Sequence, residues 1–128
     1  MDYPNLFRNT KTIAMVGLSD NKERYSYKVA SYLMTHNFKI IPVNPNITSV
    51  FGVKSYRSLL DIKEPVDIVD IFRRSEFVAS IVDEAIKIKA KTIWMQEGVE
   101  DAIAATKARA AGLTVVMNMC IMKTHLLK

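Results

Sequence analysis

Residues 93–99 read Ile93-Trp94-Met95-Gln96-Glu97-Gly98-Val99. The first three are apolar, and the run then turns polar at an amide, a carboxylate and a glycine. An apolar stretch this short, ended by glycine, suits a strand buried on both faces. Strands covered on both faces belong to parallel sheets, so this stretch sets the expectation for the whole chain. Its polar end is either punctuation or the lip of a ligand site.

Four other short runs share its character: "TIAMVGL" (12–18), "FKIIPV" (38–43), "VDIVDIF" (66–72) and "LTVVMN" (113–118). Between them the apolar spacing changes to the helical one. Val29, Ala30, Leu33 and Met34 mark one helical face, with Ser26 expected as its N-cap. Val78, Ile81, Val82, Ala85 and Ile86 mark another, with Ser75 expected to cap it. Residues 99–111 are alanine-rich, open with Glu100 and Asp101, and stop at Gly112. "SYRSLLDI" (55–62) reads as one or two helical turns, and "MCIMKTHLLK" ends in a short helix.

Regular alternation of strand and helix predicts an α/β, Rossmann-like, doubly wound sheet of about five parallel strands, with helices on both faces. Residues 1–128 are expected to form a single domain, since 49% hydrophobic content in 128 residues supports one core. No apolar stretch approaches the ~18 residues of a membrane span, and the N-terminus lacks the pattern of a signal peptide. A cytoplasmic protein is the expectation. One cysteine and two well-separated histidines predict neither a disulfide framework nor a metal site. The net charge of +5 is concentrated in the first half, where nine Lys/Arg face five Asp/Glu. That balance suits a phosphate-bearing partner, although basic runs with interleaved aromatics, as nucleic-acid binding would favour, are absent.

Ligands of such sheets bind beyond the carboxyl ends of the strands, at the point where strand order reverses. The first strand ends in Gly17-Leu18-Ser19, followed by a loop carrying Lys22 and Arg24 ahead of the helix near Ser26. Glycine, helix N-terminus and cations outline a phosphate site without a full G-x-G-x-x-G. The second strand runs into Val43-Asn44-Pro45, a stiff lip lacking the acid that usually holds a nicotinamide ribose. The third ends in Phe72-Arg73, a ring and a guanidinium suited to phosphate. The fourth ends in Met95-Gln96.

The ordered set "VGLS", "SYKVASYL", "IIPVNP", "VDIVDIFR", "TIWMQEGV" and "AGLTVVMNMCIM" closely resembles the small single-domain CoA-binding proteins. These are similar to the N-terminal CoA-binding domain of the succinyl-CoA synthetase alpha subunit. The resemblance runs from about residue 10 to 127. It implies coenzyme A or an acyl-CoA as the cofactor, contacted at Gly17, Leu18, Ser19, Val43, Asn44, Pro45, Phe72, Arg73, Met95 and Gln96. Lys22, Arg24 and Ser26 follow from the same loop. Asn118 and Met119 replace the family's commoner Asp-Arg, so the fifth strand is expected to bring no charge.

No nucleophile–base pair or carboxylate pair can be assembled, and His36, His125 and Cys120 are expected to be structural. The expectation is a carrier, sensor or accessory module without catalysis of its own, with a small-molecule CoA ligand, no nucleic acid and no membrane. A protein partner or a homodimer stays open. The alternative is a small nucleotide-dependent enzyme using NAD(P) or acyl-CoA.

Overall fold

A computed structural model describes residues 1–127. The chain opens with a short helix α1 (Tyr3–Arg8), capped where Asp2 Oδ1 accepts the Asn5 N–H at 3.0 Å. Strand β1 (Thr12–Val16) is buried at all five residues. Helix α2 (Tyr25–Thr35) leads to β2 (Lys39–Val43), and β3 (Ser49–Val50) and β4 (Val53–Lys54) make a small hairpin. Then follow β5 (Ile68–Ile71), α3 (Val78–Lys87), β6 (Thr92–Met95), α4 (Ala102–Ala110), β7 (Thr114–Val116) and α5 (Ile121–Leu126).

The five long strands form one sheet in the order β2-β1-β5-β6-β7, every pair parallel. The expected Rossmann-like α/β fold is therefore the observed one. Alternate strand residues point to opposite faces. Ala14, Val16, Val69, Ile71, Ile93 and Met95 pack with α3 and α4. Ile13, Met15, Ile68 and Trp94 pack with α1, α2 and α5. Successive strands extend away from β1 in one direction to β2 and in the other to β5, so the crevice lies between β1 and β5.

Two helix starts differ from expectation. Ser26 does not cap α2: the cap position is Arg24, without a side-chain bond. Ser26 lies inside the first turn, where its Oγ accepts the Ser19 N–H at 3.0 Å and closes the β1–α2 loop. Ser75 likewise does not cap α3. It begins a 3₁₀ turn (Ser75–Phe77), and its Oγ accepts the Glu100 N–H at 3.0 Å. Ser26 thus closes its own loop, whereas Ser75 ties two connections 25 residues apart, a role that local sequence spacing does not reveal. By contrast Asp101 caps α4 as expected, accepting the Ala104 N–H at 2.9 Å.

Helix α1 and the β3–β4 hairpin were not anticipated. The hairpin turns at Phe51-Gly52, both at positive φ, and Tyr27 stacks on Phe51 at 4.4 Å. No helix among the described residues is long and apolar enough to cross a membrane.

Candidate functional site

The ends of β2, β1, β5 and β6 lie side by side and bring the expected residues onto one edge. Gly17 stands at the switch point with φ +91° and donates its N–H to Val43 O at 2.9 Å. A Cβ there would lie 2.5 Å from Phe72 O and 3.0 Å from Arg73 Cδ. The glycine is thus demanded by β5's end as well as by the turn's φ. The close approach anticipated for a ligand is made in the structure by the protein's own backbone.

Leu18, Val43 and Met95 bury their side chains in the core, at 0%, 4% and 0% exposure, so only their main chains face the edge. Asn44 is a clamp: its Nδ2 donates to Leu18 O at 3.0 Å and its Oδ1 accepts from Asn46 N at 2.9 Å. Pro45 is exposed beside it. The β1–α2 loop is braced by its own side chains, Ser19 Oγ accepting from Asn21 N and Asn21 Oδ1 from Glu23 N. That bracing leaves Lys22 and Arg24 exposed at the head of a helix whose first turn has no side-chain cap. The positive end of the α2 dipole and two cations therefore point one way.

Arg73 is half-buried and lays its guanidinium over the Phe77 ring, 4.2 Å from the centroid. Among the described residues the ion pairs engage Lys39, Arg74, Lys91, Lys107 and Lys123, and none engages Lys22, Arg24 or Arg73. Arg73 also stands between two depressions. One, of about 140 Å³, includes Val43, Pro45, Leu59 and Phe77. The other, of about 330 Å³, includes Tyr25, Phe72, Gln96 and Gly98.

Gln96 explains the polar end of β6. Its Oε1 accepts the Ile121 N–H at 3.0 Å, supplying the first turn of α5, whose own cap residue Cys120 offers no side-chain bond. Its Nε2 is buried and has no partner. Three residues outside the expected contact set complete the edge. Asn118, at φ +58°, accepts the Gly98 N–H at 2.7 Å and ties the ends of β6 and β7. Glu97 pairs with Lys123 at 3.0 Å. Tyr25 places its hydroxyl 3.0 Å from Cys120 Sγ, and desolvation together with that bond raises its pKa above the ordinary phenol value. An asparagine in the left-handed region is a local signal; the Tyr25 contact, spanning the fold, had none.

His36 and His125 lie away from this edge. His125 is buried, with Nδ1 2.6 Å from the Tyr32 hydroxyl and its ring edge-on to Phe7.

The model of the CoA-binding domain matches residues 11–125. The chain belongs to the CoA-binding domain family. It is 38% identical over 120 residues to the uncharacterized protein YneT of Bacillus subtilis, a match covering 94% of this chain and 89% of that protein. It is 37% identical to a hypothetical protein of Pyrococcus horikoshii, with a TM-score of 0.95 over 98% of this chain and 89% of the other. It is also 31% identical over 77 residues to an ADP-forming acetate–CoA ligase of Methanocaldococcus jannaschii, covering 60% of this chain and only 11% of that enzyme.

The donor set of this CoA-binding domain fits such a ligand. Uncommitted cations and an uncapped helix suit a pyrophosphate, and an unpartnered buried amide donor suits an amide carbonyl.

Proposed function

We propose that this protein binds coenzyme A or an acyl-CoA as one domain, serving as a carrier, sensor or accessory module without catalysis of its own. The observation that carries this reading is Arg73: a half-buried cation without a carboxylate partner, set between two depressions at the switch point. In this reading the main chains of Gly17, Leu18 and Ser19, with Lys22, Arg24 and the α2 start at Ser26, receive the pyrophosphate. Val43, Asn44 and Pro45 border the adenosine. Phe72 and Arg73 hold the middle of the ligand, and Met95 and Gln96 border the pantetheine arm.

Thermal melting tests the proposal. Coenzyme A at 100 times its Kd should stabilise the fold by about 2.7 kcal/mol, and NAD at equal concentration by much less. Arg73→Ala should weaken CoA binding about tenfold, since a charge-assisted phosphate contact contributes roughly 1.5–3 kcal/mol. A shift by NAD equal to or larger than that by CoA would favour the nucleotide-dependent enzyme. Release of thiol from acetyl-CoA above a protein-free blank would overturn the passive role.

A further inference from the structure

The 330 Å³ depression neighbours a second of about 540 Å³, and Glu97 borders both. This larger groove lies between α1 and α5, with walls that include Met1, Tyr3, Met119, Cys120, Thr124 and Leu127. Its lining is mainly hydrocarbon, ring and sulfur. Met1 and Leu127 are 68% and 86% exposed, so apolar surface is left open to water beside the ligand edge. Lys123, a cation on its rim, is already paired with Glu97.

The distances along the sheet connect the two depressions. Neighbouring strands are ~4.8 Å apart, so the step from Arg73 after β5, past β6, to Met119 after β7 is roughly 10 Å. A pantetheine arm has about twelve backbone bonds, four residue equivalents, and spans roughly 14 Å when extended, enough to cover that step. Gln96 stands midway, 3% exposed, with Nε2 lacking an acceptor. Its orientation is set by the Ile121 N–H on Oε1, so the nitrogen is the free end. An amide carbonyl of the arm is the kind of acceptor that position wants.

We infer that the groove between α1 and α5 is an acyl subsite, taking the hydrocarbon chain of a medium-chain acyl-CoA whose pantetheine arm passes Gln96. This rests on the CoA-binding reading and adds the ligand class. A charged acyl group is disfavoured, because the rim cation is neutralised by Glu97. The thioester lies beside Glu97, the residue that both depressions share.

Titration calorimetry on the intact protein with CoA, acetyl-, butyryl-, hexanoyl- and octanoyl-CoA tests this. Full burial of a methylene tightens binding about fourfold. In a half-open groove about twofold per methylene is expected, so octanoyl-CoA, six methylenes longer, should bind about sixtyfold tighter than acetyl-CoA. Succinyl-CoA should bind no tighter than acetyl-CoA. Leu127→Glu, at an exposed position outside the core, should abolish the chain-length gain and leave CoA itself unchanged. A flat series with CoA binding intact overturns the inference alone. A flat series in which Leu127→Glu also converts a dimer to a monomer shows that a second copy covers the groove, and overturns it too. Failure of CoA to bind at all removes the parent reading instead.

Discussion

The two ends of the sheet are built on opposite electrostatic terms, and two aspartates three residues apart show it. Asp67 sits at the amino-terminal end of β5, where its Oδ2 accepts the N–H groups of Lys11 and Thr12 at 2.8 and 3.0 Å. Lys91 lies 3.2 Å from its other oxygen. Burial alone would raise its pKa, but the Thr12 and Lys11 N–H groups and Lys91 outweigh that and hold it below the ordinary value. Asp70, inside the same strand between Met15 and Trp94, is wholly buried, and neither oxygen has a partner. Desolvation pushes its pKa well up, favouring the neutral acid. At the amino-terminal end charges are matched. Toward the carboxyl end, beside the exposed Glu97–Lys123 and Arg74–Glu76 pairs, several polar groups stand unmatched: Asp70, Gln96 Nε2, Arg73 and the head of α2. Matched charge stabilises a fold; of the unmatched groups, Arg73 and the head of α2 reach the surface, whereas Asp70 is closed inside the core.

The largest expected effect separates two glycines at opposite ends. Both Gly17 and Gly112 have positive φ, +91° and +93°. A Cβ at Gly112 meets nothing within 4 Å, whereas at Gly17 it meets backbone. Gly17→Val should cost about 3 kcal/mol or more from strain and overpacking together. Gly112→Ala should cost only about 1 kcal/mol, from backbone conformation alone. Urea midpoints measure both, and equal losses would mean that the Phe72 contact relaxes freely. Gly17→Val is therefore a stability probe, and Arg73→Ala the cleaner binding probe.

Next comes Asp67→Ala, which strands two backbone donors and should cost about 2 kcal/mol at pH 7. The Lys91 contact adds little, because that side chain is 70% exposed. A carboxyl with a lowered folded pKa contributes stability above its unfolded value of 3.8, lost as pH falls through the folded value. The gap between variant and wild type should accordingly close in acid. A gap unchanged down to pH 2 would contradict the assignment.

The remaining effect is a slope with pH, of opposite sign. Asp70 binds its proton more tightly folded than unfolded, so its contribution is greatest below pH 3.8 and declines as pH rises toward the raised folded value. Asp70→Asn should remove that decline, and relative to wild type it should gain up to about 1.4 kcal/mol per pH unit across the titrating range. Parallel stability curves for the two proteins between pH 5 and 8 would show that Asp70 finds a partner in solution.

Most of the fold was legible because both faces of the sheet are covered, which makes each strand a continuous apolar run. The edge was legible as positions but less so as roles. Leu18, Val43 and Met95 arrived at the right place with their side chains turned into the core. Ser26 and Ser75 had the composition of caps, yet the first hydroxyl closes the loop before its helix and the second holds a distant one. Helix α1 escaped notice because its six residues bury only Phe7, too few for a period to emerge.

Period and punctuation are local properties, and from them the sequence by itself determined five parallel strands, their helices and the edge that carries the candidate site. Which side chains are saturated there was decided only by the tertiary structure. Gln96 and Ile121 are 25 residues apart, as are Trp94 and Met119. Tyr25 and Cys120 are 95 apart. No local pattern encodes such pairs, because a hydrogen bond reaches about 3 Å and only the packing of α2 and α5 over one face of the sheet brings these atoms within that reach.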